Sequence, residues 1–436
     1  MWKLRFLFVY LGFEGFLKII SSYNPLIHIG IDILSLFLLA GLFLGKESRF
    51  QRGDGAPPLK YLFAFHLLWF SICVLNPFSL GIVPSLASAK IYVTMPLLYF
   101  SGFYLIRSLK EFEQIAWIWI LVLAAHTATS IYQGTVGPSS VLSIHPGYAI
   151  PLERLGGPSF RPFGLTHLPG APSVFIFLTL PLVLYFLFQK RSILVKAFLS
   201  ALIPAASIVL VLCQVRSAIL KSLLGSILFV LLNFAVAAKT SVKTLLVRTA
   251  VVLLVCVVGA FVVDAYLPKV DEFALNRSLS AFNVNSIRSS RGGFTERFST
   301  YFEMAPFGAG LSRTGAAAEK FREANDSDSY FSGKFFTDNL WLTLQVDLGF
   351  PGMIVFSALA FSALLLGFRA VFKLKNPEYR LPAAAISSAL LCSALGAFGA
   401  EAFLYNPEAA FFWFFSGVLM RFWRIDQAPF AAARKT

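Results

Sequence analysis

The chain has 436 residues, of which 57% are hydrophobic, 16% aromatic and only 14% charged, and its formal net charge is +15. In ordinary soluble domains about a quarter of the residues are charged, so this composition excludes a soluble globule and predicts a polytopic membrane protein. The basic excess falls in short connections between apolar runs, which excludes a nucleic-acid surface as its meaning and assigns it to topology.

A bilayer core takes about 20 apolar residues per helix. Runs at 4–21, 25–44, 59–76, 82–106, 115–133, 170–188, 194–213, 215–237, 245–265, 351–368, 381–400 and 402–420 predict twelve transmembrane helices in one all-α membrane domain, 1–436. The runs are unbroken, where barrel strands would alternate apolar and polar residues over about ten positions. The first run holds Glu14 and Lys18 and is followed by no small-residue cleavage site, so it is expected to be retained as a helix. An interfacial helix is the alternative there. Cys73, Cys213, Cys256 and Cys392 lie in or at the ends of apolar runs without Cys-x-x-Cys spacing, so neither a disulfide scaffold nor a metal site is indicated.

With both termini cytoplasmic, every inward connection is basic: Lys3 and Arg5; Lys46 to Lys60; Arg107 and Lys110; Lys190, Arg191 and Lys196; Lys239, Lys243 and Arg248; Arg369 to Arg380; and Arg421 onward. The outward turn at 21–24 is uncharged and the one at 401–408 carries only acids. This orientation puts "QVRSA", with Arg216, at the outer end of a helix pair, although Lys221 follows inside the apolar run. It also makes two long external loops, 133–169 and 264–350. Loops of such length are functional or disordered.

The first loop ends in "RPFGLTHLPGAPSVF", whose glycines and prolines fix an irregular backbone before a span. His167 stands there without further metal ligands at suitable spacing, so its alternatives are a ligand or catalytic role and a hydrogen-bonded interfacial histidine. The second loop carries Arg277, Arg288, Arg291 and Arg297 in "NRSLSAFNVNSIRSSRGGFTERFSTY". Arginine forks suit phosphates and carboxylates. A diphosphate is one reading of this set; lipid headgroups or the loop's own acids are the other. "APFGAGLSRTG" lacks the Gly-Lys-Ser/Thr ending of a phosphate-binding loop. In "FFTDNLWLTLQVDLGFPGMIVF" residues 338–348 are expected to form a short amphipathic helix at the outer surface, with Asp338 as a candidate N-cap and Pro351 opening the next helix.

Taken together, "QVRSA", "RFSTYFEMAPFGAGL" and "DNLWLTLQVDLGFPG" resemble the O-antigen ligase and O-antigen polymerase superfamily of C-type membrane glycosyltransferases, over about Arg161 to Gly352. The resemblance implies a periplasmic active site on the bacterial inner membrane and an undecaprenyl-diphosphate-linked glycan donor with a glycan acceptor. It implies no metal, no nucleotide sugar and no other cofactor, and as partners a chain-length regulator and a flippase. Arg216 and Arg297 match the arginines placed on the lipid diphosphate, and Asp338 is the candidate base, ahead of Glu296 and Glu303. Arg161, His167, Arg288, Arg291, Arg313 and Asn339 complete the expected substrate-binding set. Ligases carry a histidine before the asparagine of this motif. Asp338-Asn339 therefore favours repeat-unit polymerisation, with ligation as the alternative. A secondary transporter, a different class, would place substrate groups near the midplane within internal repeats, and none is evident.

Overall fold

The computed structural model describes residues 1–44, 56–155, 159–236, 272–280, 283, 294–315, 335, 337, 339–398 and 400–433. Among them the chain is helical, without a strand: α1 (Trp2–Ile20), α2 (Pro25–Leu44), α3 (Lys60–Val74), α4 (Ile82–Leu105), α5 (Leu109–Val136), α6 (Pro172–Leu187), α7 (Ile193–Cys213), α8 (Arg216–Val236), α9 (Phe294–Met304), α10 (Leu340–Lys373), α11 (Pro377–Leu395) and α12 (Glu408–Ala433). Shorter helices, including Glu272–Leu279, occupy the loops. Among the described residues five helices, α4, α5, α7, α8 and α10, are long and apolar enough to cross a membrane. Eleven of the twelve expected spans coincide with helices, and 245–265 lies outside the described residues.

The core centres on α12. Phe411, Phe412, Trp413, Phe414 and Phe415 are all fully buried, as expected of a helix apolar on every side. It crosses α4 with backbones nearly touching. A Cβ on Gly102 would collide with the Phe414 carbonyl, and one on Gly417 with the Tyr99 carbonyl. Without a hydrophobic driving force between helices in lipid, such close small-residue crossings let dispersion and packing hold them together. Gly417→Leu is therefore expected to destabilise the fold by at least about 1–3 kcal/mol, since backbone cannot yield as a side chain can. Thermal unfolding of the purified protein in detergent measures it.

Two irregularities matter for the site. In α4 the turns at Lys90–Thr94 widen into a π-helix, just before Pro96. In α10 the helix breaks at Gly349, whose φ of 72° and ψ of 172° suit glycine. The break is stitched to the neighbouring loop by Phe350 N–H to Pro306 O (2.9 Å) and Ala309 N–H to Val346 O (2.7 Å). Trp69 Nε1 donates to the freed Leu348 carbonyl at 3.0 Å. Backbone polar groups at such depth need internal partners, and these provide them. The expected surface helix is thus corrected. Leu342, Thr343, Leu344, Gln345, Val346, Asp347 and Leu348 are all buried, because the segment is enclosed by α9, the 305–311 loop and α3 instead of lying on the membrane.

Candidate active site at one end of the bundle

Helix alternation brings the C-terminal ends of α1, α3, α5, α7 and α11 and the N-terminal ends of α2, α4, α6, α8, α10 and α12 to one end. Loop contacts confirm it: Asn76 Nδ2 donates to Gly308 O (3.2 Å), Leu340 N–H to Ala400 O (3.1 Å) and Ser278 Oγ to Val211 O (3.2 Å). The opposite end is held by simpler clasps, such as Arg191 to Glu113 (2.7 Å) and the Asp426 carboxylate capping the Lys375 and Asn376 amides (both 2.8 Å).

The loop "RPFGLTHLPG" is buried into this end by side chains that carry its backbone. Gln133 Oε1 accepts from Phe163 N–H (2.8 Å) and Gly164 N–H (2.7 Å), and its Nε2 donates to Gly164 O (3.0 Å). His126 Nδ1 accepts from Leu165 N–H (3.2 Å), which leaves Nε2 to donate to Gly12 O (2.8 Å). Tyr148 donates to Thr166 O at 3.1 Å. His167, half-buried, then lies against Gly15 of α1 and edge-on to Tyr23.

At the other end of the loop, Arg161 is half-buried and its Nε donates to Cys213 O at 3.0 Å, at the last turn of α7. Burial pushes this guanidinium's pKa below its ordinary value, and the nearby charge of Arg277 pushes the same way. Gln214 adopts a left-handed conformation (φ 56°) and donates from Nε2 to Ser159 Oγ at 2.7 Å, turning the chain so that Arg216 opens α8 half-buried. A cation at the first position of a helix opposes the helix dipole. Arg216 and the positive helix end both favour an anion at this corner.

Arg297 is half-buried on α9, which packs on α10 through Phe298 and Tyr301; Gln345 Nε2 donates to Phe298 O at 3.0 Å. Arg313 is buried, with Nη2 on Phe78 O (2.6 Å) and Nε near Phe78 O and Ala309 O (3.1 and 3.3 Å), so it braces the loop against the α3–α4 turn. Asn339, also buried, caps α10: its Oδ1 accepts from Leu342 N–H at 3.1 Å. The N-cap of α10 is therefore Asn339, one residue beyond the candidate Asp338, because Asn339 has the extended backbone that a cap requires (φ −148°, ψ 163°). Asp338, Arg288 and Arg291 lie outside the described residues.

Sequence reasoning missed a buried charge network at this end. Glu14 of α1 pairs with Lys18 (2.8 Å) and with Lys90 on the π-helical segment (3.2 Å), and Lys90 reaches Asp32 of α2 at 3.8 Å. Asn406 Nδ2 approaches the second Glu14 oxygen at 3.5 Å. Nearby, Tyr92 donates to Asp347 (2.9 Å) and Thr343 to Glu401 (2.5 Å). Lys221 Nζ meets Glu408 at 2.9 Å over the Phe177 ring, and Ser393 donates to the same carboxylate at 2.6 Å. The signal was present in the ionisable residues inside apolar runs, which are costly there and mark functional or partnered positions.

An arginine corner, a broken helix and paired charges at the same end of an apolar bundle are what comparison with known proteins has to account for. Residues 201–357 match the O-antigen ligase family. The match supports the O-antigen ligase and polymerase superfamily, a glycosyltransferase-like family, and with the apolar helices it marks a membrane protein. Arg216, Arg297, Arg313, Asn339 and Lys221 lie within the O-antigen ligase segment; Arg161, His167, Glu14 and Glu408 lie outside it. No curated protein matches the chain.

Proposed function

We propose that this protein is a polysaccharide polymerase that joins undecaprenyl-diphosphate-linked repeat units at the periplasmic face of the bacterial inner membrane, in a twelve-span topology with both termini cytoplasmic. The observation that carries the reading is Arg216, an arginine opening a helix at a corner it shares with Arg161, within the segment that matches the O-antigen ligase family. In the proposed reaction an acceptor sugar hydroxyl attacks the donor's anomeric carbon. The new glycosidic C–O bond forms as the bond to the lipid diphosphate breaks, and the diphosphate leaves with the electron pair. The hydroxyl proton passes to Asp338. Arg216 and Arg297 stabilise the charge growing on the leaving diphosphate, the role in which fixed donors contribute most, and a base in reach of the hydroxyl supplies the rest. Neither a metal nor a nucleotide sugar enters this scheme. Asp338-Asn339, where ligases have histidine-asparagine, supports polymerisation over ligation.

The test is the lipid-linked glycan that accumulates in a deletion strain. Single repeat units are the expected result. Full-length lipid-linked chains would make the protein a ligase, and an unchanged pool would favour transport.

A further inference from the structure

Two loops at the site end of the bundle, the α3–α4 turn and the 305–311 loop after α9, are sewn into one body. Asn76 Nδ2 donates to Gly308 O (3.2 Å), Leu311 N–H to Ser79 Oγ (3.3 Å) and Arg313 Nη2 to Phe78 O (2.6 Å). Gly310 lies so close to the turn that a Cβ there would come 2.5 Å from the Ser79 nitrogen. Asn76 is engaged at both ends of its amide, since Oδ1 accepts from Phe78 N–H at 2.9 Å. These polar groups are matched within the protein. The side chains left outside are apolar: Leu75, Phe78, Ile82, Val83 and Phe307 are 51–82% exposed. No Asp, Glu, Lys or Arg occurs from Tyr61 to Ala89 or from Met304 to Ser312.

We infer that the two loops form one apolar lip immersed in the lipid leaflet at this end of the bundle, which takes 305–311 out of the water-exposed external loop. Exposed apolar side chains gathered on one surface mark an interaction site. Three observations make its occupant lipid. The loop carbonyls and amides find partners inside the protein, as hydrocarbon requires and water does not. A protein interface has a polar rim, and neither segment offers an ionisable side chain to build one. The patch also continues a lipid-facing surface, because Ile82 and Val83 open α4, a helix long and apolar enough to cross the membrane. The lip is bonded to both sides of the break in α10, through Ala309 N–H to Val346 O and Phe350 N–H to Pro306 O. Lipid therefore seats the broken helix, whatever reaction the site carries out.

The test uses the full-length protein in phosphatidylcholine nanodiscs, with Cys256→Ala as background because Cys73, Cys213 and Cys392 are buried. Phe307→Cys and, separately, Phe78→Cys are labelled with a nitrobenzoxadiazole dye; Ser299→Cys, on an exposed position of α9, is the reference for water. All three positions are open to solvent or lipid, so the labelled proteins are expected to fold as wild type. Each is quenched by iodide from the aqueous side and by phosphatidylcholine carrying a nitroxide high on its acyl chain. The expected result at Phe307 and Phe78 is a blue-shifted emission, strong quenching by the nitroxide lipid and loss of the iodide quenching seen at Ser299. Iodide quenching at Phe307 equal to that at Ser299 would place the loop in water and overturn the lip. A blue-shifted Phe307 label that neither quencher reaches would overturn it too, because protein, from this chain or a second copy, then covers the patch.

Discussion

Arg216→Lys is expected to insert and fold normally yet to turn over lipid-diphosphate glycan about 10²–10³ times more slowly, the usual cost of removing one oriented donor from developing charge. The expectation follows from position. Arg216 is the first residue of α8, after a left-handed Gln214 that fixes where the helix begins, and it shares the corner with Arg161. Lysine keeps the charge and reaches the same interface, so a residue serving only as an anchor tolerates the exchange, its ammonium snorkelling to the headgroups. A residue gripping a diphosphate does not, because the ammonium is a point charge without the planar two-pronged fork. Turnover of purified lipid-linked glycan by the two proteins decides between these roles. Wild-type turnover in the lysine variant would return Arg216 to the role of anchor.

The helix positions were legible in the sequence because apolar run length is a local property. The runs 4–21, 25–44 and 194–213 lie within two residues of Trp2–Ile20, Pro25–Leu44 and Ile193–Cys213 at each end. Arg216 was legible for the same reason, since it stands between two such runs. The partners were not. Glu14 and Lys18 are one turn apart, but Lys90 and Asp32 join them from other helices, and nothing in either sequence neighbourhood specifies that meeting. Asp338 and Asn339 are both good caps in sequence, and it is Asn339, with its extended backbone, that caps α10. Residues 338–348 read as a short amphipathic surface helix because Asp338 and Asp347 flank an apolar turn or two. In the fold its described polar residues Gln345 and Asp347 are buried, Gln345 on the Phe298 carbonyl and Asp347 on the Tyr92 hydroxyl.

Lys221 shows how a long-range partner explains a local oddity, and it yields the largest effect expected on stability. It interrupts an apolar run, is 5% exposed, and lies 2.9 Å from Glu408, 187 residues away. Gly396 leaves the space its Cε occupies, since a Cβ there would collide with it. Removing one partner strands the other charge in a medium that solvates it poorly, at a cost of about 3–5 kcal/mol. Lys221→Met and Glu408→Leu are each expected to lower the unfolding temperature in detergent accordingly. The double variant is expected to recover most of the loss, because a buried pair replaced by apolar residues of similar volume is often neutral. Contacting residues are where such non-additivity is found. The alternative is that Lys221 reaches water by itself and Glu408 is held by Ser393 alone, at 2.6 Å. In that case the single losses would simply add in the double variant, and an additive cycle would separate Lys221 from Glu408 and reopen the question of why a lysine stands inside α8.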